Sequence, residues 1–244
     1  MNPERAGGAL SVEWLGEIAY AKALALQHEA VADRMAGRSP DRLLLLEHPP
    51  VITLGRSTDR ANLLADEARL RELGVELFEV GRGGDVTYHA PGQLVGYPIL
   101  DLDALDRRDV HAHLRRIERS LIQALDELGV PARRIPGWTG VFVDRARSAL
   151  RTGPERKIAS IGIGLRRWVT FHGFALNVTI DLAGFEAIVP CGLRDVEMTS
   201  VALELAREEG GPHRNPTWKR ALDVRAREVV AQRLAIGLSA EAEA

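Results

Sequence analysis

Apolar residues repeat along the chain with the period of a helix in three long stretches. The first runs from Val12 to Met35 and is closed by Gly37, a residue type that commonly ends helices. The second follows Asp109, whose carboxylate suits the capping position of a helix, and the third begins near Pro216. These stretches predict three amphipathic helices.

Short apolar runs bounded by proline, glycine or polar residues predict strands between the helices. The predicted strands cover residues 43–46, 51–54, 75–80, 141–143, 158–165 and 168–180, and a short helix is predicted at 65–73. Helices and strands do not alternate regularly. This order favours an α+β fold, with a mixed, mostly antiparallel sheet flanked by helices, over a doubly wound α/β fold.

The chain length allows either one large domain or two small ones, at 244 residues. Two polar stretches, 145–156 and 207–216, are predicted to be poorly ordered loops, but neither is long enough to serve as a domain linker. We therefore predict a single domain over residues 1–244, with frayed ends at about 1–10 and 237–244.

Composition and charge exclude several classes of protein. Hydrophobic residues make up 45% and charged residues 27% of the chain, as in soluble globular proteins. No apolar run approaches the roughly 18 residues that cross a membrane, and the first residues carry no secretion segment. We therefore expect a cytoplasmic protein without a membrane partner. With 32 basic and 34 acidic residues, the chain also lacks the net positive charge that would attract a nucleic acid.

The single cysteine, Cys191, excludes an internal disulfide and a cysteine cage for zinc. His111 and His113 lie two residues apart in a predicted helix, so they point to different faces, and a solvated helix surface explains them. No bound metal is expected. Pro190 and Gly192 predict a rigid turn that presents the thiol of Cys191.

A glycine-rich segment, 81–97, reads GRGGDVTYHAPGQLVGY. Each glycine weakens a strand, so this segment is a poor candidate for a plain strand. Its glycines would let a ligand approach the backbone closely. A glycine-rich turn without a ligand is the equally weighted alternative. The segment matches neither the phosphate-loop motif nor the dinucleotide-binding motif.

A second unusual segment, 157–177, alternates small residues with isoleucines at its start. Ala159, Ser160, Gly162 and Gly164 leave one face of this predicted strand nearly bare. A bare face has room for something slender, such as an acyl chain or a pantetheine arm. Close packing against a helix is the alternative.

A free thiol is mostly protonated at neutral pH, so a nucleophilic Cys191 would need a partner. Lys157 is one of three lysines among the 32 basic residues, and it is the only one within these unusual segments. A neighbouring ammonium would favour the thiolate. His89 and His172 are the competing partners for a cysteine–histidine pair, and sequence spacing alone brings none of the three to the thiol.

These motifs, taken in order, resemble those of the octanoyl-[acyl-carrier-protein]:protein octanoyltransferases of lipoate synthesis. The matching segments are 54–56, 82–97, 157–162, 172–177 and 190–192. The resemblance spans about Val12 to Ala206. The sequence departs from the family pattern at Ala90, where glycine is most usual, and at the loop 145–156, which is longer than the usual turn before the motif lysine.

The resemblance implies the α/β catalytic fold shared by lipoate- and biotin-protein ligases. It also implies that an octanoyl group moves from octanoyl-acyl carrier protein to a lysine of lipoyl domains, without ATP and without a cofactor. The implied acceptors are the lipoyl domains of 2-oxoacid dehydrogenase E2 subunits and the glycine cleavage H protein.

Matching positions carry the family's functional residues onto this chain. The resemblance implies that Cys191 forms the acyl-enzyme and that Lys157 lowers the pKa of its thiol. It further implies an acyl pocket formed by Arg82, Gly83, Gly84, Asp85, Val86, Thr87, Tyr88, His89, Ser160, Ile161, Gly162, Gly173, Phe174 and Ala175.

Two other functions compete with this interpretation. An ATP-dependent lipoate-protein ligase has a related glycine-rich stretch and a motif lysine, but it activates its acid as an adenylate and has no use for Cys191. A non-catalytic lipoyl-domain binder of the same fold would need neither the thiol nor the amine.

Overall fold

The computed structural model describes residues 10–193, 195–209 and 215–239. The frayed ends predicted at 1–10 and 237–244 and the centre of the predicted loop 207–216 lie mostly outside these residues. Where they are described, residues 207–209, 216 and 237–239 belong to helices, so the predictions are wrong there. The strands within them are β1 Ser11–Glu17, β2 Arg42–Glu47, β3 Val51–Leu54, β4 Glu76–Glu79, β5 Val86–His89, β6 Gln93–Ile99, β7 Ala132–Arg133, β8 Val141–Val143, β9 Glu155–Arg166, β10 Val169–Asn177 and β11 Val196–Met198. The helices are α1 Tyr20–Met35, α2 Glu67–Glu72, α3 Val110–Glu127, α4 Val201–Glu209 and α5 Pro216–Ser239.

The strands form one large sheet and one small sheet. The large sheet has the order β1-β2-β6-β10-β9-β8-β7, with β11 paired to β9, and the small sheet has the order β4-β3-β5. In the large sheet, only the β1–β2 and β9–β11 pairs are parallel among the described strands. This topology confirms the predicted α+β fold with a mixed, mostly antiparallel sheet.

Helices cover both faces of the large sheet. Strand β2 shows this directly, since Leu43 and Leu45 pack on the side of α3 and α5, whereas Leu44 and Leu46 pack on the side of α1. A strand buried on both faces is apolar at every position, which explains the continuous run of leucines in the sequence. No helix in the described part of the chain is long and apolar enough to cross a membrane.

The predicted helix after Asp109 is confirmed as α3. The Asp109 carboxylate accepts a hydrogen bond from the backbone N–H of Ala112, which is otherwise an unpaired donor in the first turn. The apolar positions Ile117, Leu121 and Leu125 are fully buried against the sheet. His113, which the sequence places on a solvated surface, is instead buried on α3, so that interpretation is wrong.

The first predicted helix is wrong in its N-terminal third. Residues 11–17 form strand β1, which pairs in parallel with β2, and the helix begins only at Tyr20. Gly16 adopts a left-handed conformation with a φ of 71°, which an α-helix does not accommodate. The apolar repeat there is compatible with either element, so pairing with β2 decides between them.

The glycine-rich segment 81–97 contains two strands as well as turns. Its second half forms β6, which is buried along its whole length in the middle of the large sheet. Gly96 stands opposite Phe174 of β10, and a β-carbon at Gly96 would lie 2.2 Å from the Phe174 ring. A glycine in this strand therefore makes room for an aromatic side chain of the neighbouring strand.

The predicted poorly ordered loop 145–156 is wrong at its C-terminal end, where Glu155 and Arg156 belong to β9. Arg156 is buried and forms two hydrogen bonds of 3.1 Å with the Glu204 carboxylate of α4. It also donates to Ser148 Oγ and to the Leu150 carbonyl within the loop. This network anchors the start of β9.

Asp223 on α5 is a partly buried carboxylate whose charge lowers the stability of the fold at neutral pH. Burial raises the pKa of Asp223 to about 6, although its carboxylate accepts a hydrogen bond of 2.7 Å from Thr179 Oγ1. An unfolded aspartate titrates near 3.9, so the folded state loses stability as the pH rises from about 4 to about 6. Asp223→Asn keeps an acceptor for Thr179 and removes the charge. Asp223 is partly exposed, so solvent screens part of this effect, and we expect the substitution to stabilise the fold by about 1 kcal/mol at pH 8 and to leave it unchanged at pH 4.

Urea unfolding of both proteins at the two pH values measures this difference. Glu228→Gln removes an exposed charge from the same helix and serves as the control, with no comparable gain. An equal gain for Asp223→Asn at pH 4 and pH 8 would show that charge burial is not the cause.

Candidate active site

Cys191 lies in a tight turn, Pro190–Gly192, as predicted from its flanking residues. Both Cys191 and Gly192 have left-handed backbone conformations, with φ angles of 55° and 67°. A non-glycine residue rarely adopts such a conformation, and surrounding contacts have to hold it. One such contact is the hydrogen bond of 2.7 Å from the Val189 N–H to the Asn62 carbonyl.

Asp85 and Asn62 lie directly behind this turn. The Asn62 side-chain amide donates a hydrogen bond of 2.5 Å to Asp85 Oδ2, and Asp85 Oδ1 accepts from the Val86 N–H. A β-carbon at Gly192 would come within 2.9 Å of Asp85 Oδ2. Gly192 is therefore required both for its backbone angle and for the close approach of the Asp85 carboxylate.

The thiol of Cys191 contacts the side chain of Lys157, which projects from β9. The distance from Lys157 Nζ to Cys191 Sγ is 3.0 Å, and Ser160 Oγ lies 4.0 Å from the same sulfur. Only 2% of Lys157 is exposed. His89 instead bonds Gln93, and within the described residues the Nε2 atom of His172 has no hydrogen-bond partner. The geometry therefore pairs Cys191 with Lys157 rather than with either histidine.

The electrostatic environment favours the thiolate of Cys191. Burial by itself would raise the pKa of this thiol. The Lys157 ammonium opposes burial through its charge and its hydrogen bond, and the charge of Arg82 and the Ser160 hydroxyl add to its effect. The balance lowers the pKa of Cys191 below the ordinary value of a thiol.

Arg82 is buried against the small sheet and is held in one position. Its guanidinium donates to the Thr53 hydroxyl and carbonyl and to the Gly83 carbonyl. A β-carbon at Gly55 would lie 2.8 Å from Arg82 Nη1, and one at Gly162 would lie 3.3 Å from Arg82 Cδ. The carbonyl oxygens of Gly84 and Gly83 would lie closer still, at 2.2 and 2.7 Å, so these two glycines make room for the backbone after Arg82 as well as for its side chain.

The thiol opens on a cavity of about 250 Å³. This volume is below the roughly 300–1,000 Å³ of typical small-molecule pockets, so a slender ligand suits it better than a nucleotide. Besides Cys191 and Lys157, the predicted residues that line it are Arg82, Gly84, Asp85, Thr87, His89, Ser160, Ile161, Gly162, Gly173, Phe174 and Ala175. Gly83, Val86 and Tyr88 do not line the cavity.

Strand geometry explains the division within β5. Successive side chains of a strand point to opposite faces, so Thr87 and His89 face the cavity, whereas Val86 and Tyr88 face the core of the small sheet. Tyr88 packs there against Phe185 and against the bare Cα of Gly184. Gly83 supports the site differently, because its N–H donates to the Ile163 carbonyl of β9.

The cavity is also lined by residues that were not among those predicted for the acyl pocket. These are Tyr20, Val95, Tyr97, Gly137, Trp138, Thr139, His172 and Leu193. Tyr97 and His172 belong to motifs already noted, so a wider reading of those motifs would have included them. Tyr20 and Trp138 lie outside all of the motifs, and no local signal distinguishes them from core residues.

A chain of side-chain amides sets the tautomer of His89. Asn177 Nδ2 donates to the Thr199 carbonyl, so its Oδ1 atom accepts from Gln93 Nε2. Gln93 Oε1 is thereby left to accept the proton of His89 Nδ1 at 2.7 Å. His89 therefore carries its proton on Nδ1 and keeps a lone pair on Nε2. Burial lowers the pKa of His89 to about 3, so this lone pair is available at neutral pH.

A thiol in contact with a buried ammonium, beside a cavity with a largely apolar lining, has the groups that nucleophilic attack on an acyl carbonyl requires. Comparisons with known proteins identify the family of this chain. A sequence profile described as the lipoyl protein ligase A/B catalytic domain matches residues 19–213. The chain therefore belongs to the family of lipoyl protein ligase A/B catalytic domains.

Two similar relatives are both named octanoyltransferase. The Myxococcus xanthus relative is 50% identical over 198 residues, which cover 81% of this chain and 54% of the relative, so this chain spans about half of its length. The Solibacter usitatus relative is 48% identical over 211 residues, which cover 86% of this chain and 91% of the relative. On the strength of such relatives, this chain is an acyltransferase.

Solved structures with this fold include lipoate-protein ligases. A bi-partite lipoate protein ligase from Thermoplasma acidophilum superposes with a TM-score of 0.58 at 17% identity, covering 96% of this chain and 93% of that chain. Lipoate-protein ligase A bound with ATP has a TM-score of 0.57 at 15% identity, with coverage of 96% and 95%. At such low identity these similarities show the shared fold alone, which confirms the fold predicted from the motifs.

Proposed function

We propose that this enzyme transfers an octanoyl group from octanoyl-acyl carrier protein to a lysine of lipoyl domains, through a thioester on Cys191. The observation that carries the proposal is the 3.0 Å contact between Lys157 Nζ and Cys191 Sγ, two residues that line the cavity. The choice of octanoyl as the acyl group rests on the relatives, which are named octanoyltransferase. A reduced thiol is typical of a cytoplasmic protein, and we propose that location.

In the first half-reaction, the Cys191 thiolate attacks the carbonyl carbon of the donor thioester. A new C–S bond forms to Cys191, and the C–S bond to the carrier breaks. The departing thiolate of the carrier takes a proton from the Lys157 ammonium, which becomes a neutral amine. Exchange between two thioesters is nearly balanced in energy, so this step depends on positioning more than on driving force.

In the second half-reaction, the neutral amine of the target lysine attacks the Cys191 thioester. An amide bond forms, the Cys191 thiolate is expelled, and the attacking nitrogen loses one proton. Neutral Lys157 takes that proton and returns to its starting state, so its proton balance closes over one cycle. His89, which lines the same cavity, is the alternative acceptor, but its pKa of about 3 makes it a much weaker base than the Lys157 amine.

The proposed acceptors are the lipoyl domains of 2-oxoacid dehydrogenase E2 subunits and the glycine cleavage H protein. The reaction needs neither ATP nor a cofactor, because the donor is already a thioester. The main alternative is an ATP-dependent ligase, since a protein of this fold has been solved with ATP. The Cys191–Lys157 contact favours the transferase, because a ligase that forms an adenylate has no step for a thiolate.

Incubation of the purified protein with octanoyl-acyl carrier protein, without ATP, tests the proposal directly. We expect the intact mass to increase by one octanoyl group, the adduct to be released by hydroxylamine, and peptide mapping to place it on Cys191. Free octanoate with ATP and magnesium is the matched reaction for a ligase and should leave no thioester. If fully reduced protein and intact donor give no adduct, covalent catalysis by Cys191 is wrong.

A further inference from the structure

The Lys157 side chain emerges from an irregular part of the sheet. Strands β8 and β9 pair Val141 with Ala159 and then Phe142 with Lys157, so β9 contains one extra residue, Ile158, at this point. Such a bulge re-aims neighbouring side chains, and bulges are frequent beside active sites. The backbone of Lys157 is held from the other side of β9, because its carbonyl accepts from the Thr199 N–H.

Gly140, the residue before β8, forms the wall behind the Lys157 side chain. A β-carbon at Gly140 would lie 2.6 Å from the Ala159 carbonyl oxygen of β9, 2.7 Å from Lys157 Cε and 3.3 Å from Lys157 Nζ. Gly140 has a φ of 120°, which strongly favours glycine. Phe142 adds an aromatic contact, with its ring centre 5.7 Å from Lys157 Nζ. Lys157 is therefore confined between Gly140, Phe142 and the thiol.

A buried carboxylate on α3 holds Gly140 in place. The Gly140 N–H donates a hydrogen bond of 3.0 Å to Glu118 Oε1, and Arg115 Nη1 donates one of 2.6 Å to Glu118 Oε2. Glu118 has 0% of its surface exposed. A fully buried carboxylate costs free energy unless it is paired and hydrogen-bonded, and both of its oxygens are used in this arrangement.

We propose that Glu118 is a positioning residue for the octanoyl transfer reaction, acting through Gly140 to aim the Lys157 ammonium at Cys191. This inference rests on the role proposed above for the Cys191–Lys157 pair. Loss of the Glu118 carboxylate would free the Gly140 backbone to rotate into the space of the lysine. Lys157 Nζ would then leave the thiol, and burial of Cys191 would no longer be offset.

The pH dependence of Cys191 alkylation by iodoacetamide measures how strongly Lys157 favours the thiolate. The chain has a single cysteine, so the signal is specific to Cys191. We expect the midpoint of alkylation in the wild-type protein to lie below the pKa of a free thiol, which is about 8.5. In Glu118→Ala and in Gly140→Ala we expect this midpoint to rise by about one pH unit. Acylation by octanoyl-acyl carrier protein near pH 7 should slow about tenfold in kcat, with little change in KM. Glu118→Gln keeps one oxygen for the Gly140 N–H, while the partly exposed Arg115 side chain turns to solvent, so this variant should restore most of both values.

Gly153→Ala is the matched control for Gly140→Ala. Gly153 also has a left-handed conformation, with a φ of 100°, but a β-carbon there meets nothing within 4 Å. It should therefore cost similar backbone strain and leave the alkylation midpoint unchanged. Should Glu118→Ala not fold, Gly140→Ala still tests the proposal, because an unshifted midpoint in that variant overturns it.

The possible outcomes separate the two proposals. An unshifted midpoint in Gly140→Ala, equal to that of Gly153→Ala, overturns the positioning role. A midpoint in Glu118→Gln as high as in Glu118→Ala would also overturn it, because the hydrogen bond to Gly140 would then not be the cause. An ordinary thiol midpoint in the wild-type protein would instead contradict the Cys191–Lys157 pair itself.

Discussion

Cys191→Ala is expected to abolish octanoyl transfer, with a loss of at least about 10⁴-fold in the rate of amide formation on a lipoyl domain. The variant removes the only atom that forms the thioester and leaves the cavity walls unchanged. Gel-shift or intact-mass measurement of the octanoylated lipoyl domain, with octanoyl-acyl carrier protein as donor and no ATP, gives the rate.

The backbone of this variant is matched to that of the wild-type enzyme. Alanine and cysteine both carry a β-carbon, so the left-handed conformation at residue 191 costs the same in each protein. An unfolding midpoint close to that of the wild-type protein therefore confirms that the fold is intact. Substantial transfer by a folded Cys191→Ala protein would favour direct attack on the donor, and transfer that needs ATP would favour the ligase.

Lys157→Arg is expected to reduce turnover by about 10²- to 10³-fold although it keeps the positive charge. Arginine does not release a proton near neutral pH, so it cannot protonate the departing carrier thiolate or receive the proton of the target amine. The larger guanidinium also has little room, since Gly140 lies against the end of the lysine side chain.

Single-turnover measurements of the two half-reactions separate the contributions of Lys157. Lys157→Met removes the charge as well, so the pKa of Cys191 should rise and the rate of acylation should reach its plateau at higher pH than in the wild-type enzyme. If pre-acylated Lys157→Arg passes its acyl group to a lipoyl domain at the wild-type rate, His89 rather than Lys157 receives the proton of the target amine.

Local patterns were sufficient for those parts of the fold that depend on local interactions. The α3 helix was predictable because its cap, Asp109, and its apolar repeat lie within one segment. The stretch 12–35 was not, because the same apolar spacing suits a strand, and only pairing with β2 resolves it. Likewise, the glycines of β6 argue against a strand when the segment is taken alone, because the reason for Gly96 is the Phe174 ring of the neighbouring strand β10.

The residue types of the site were predictable from motifs that place Cys191 in a turn and a rare lysine at the start of a bare strand. The contact of the thiol with Lys157, and with neither His89 nor His172, was not predictable in this way, because Lys157 and Cys191 lie 34 positions apart in the chain and meet only in the folded protein. The same holds for Asn62 and Glu118, which belong to none of the motifs. Their roles arise from hydrogen bonds across elements that are brought together only when the core is packed.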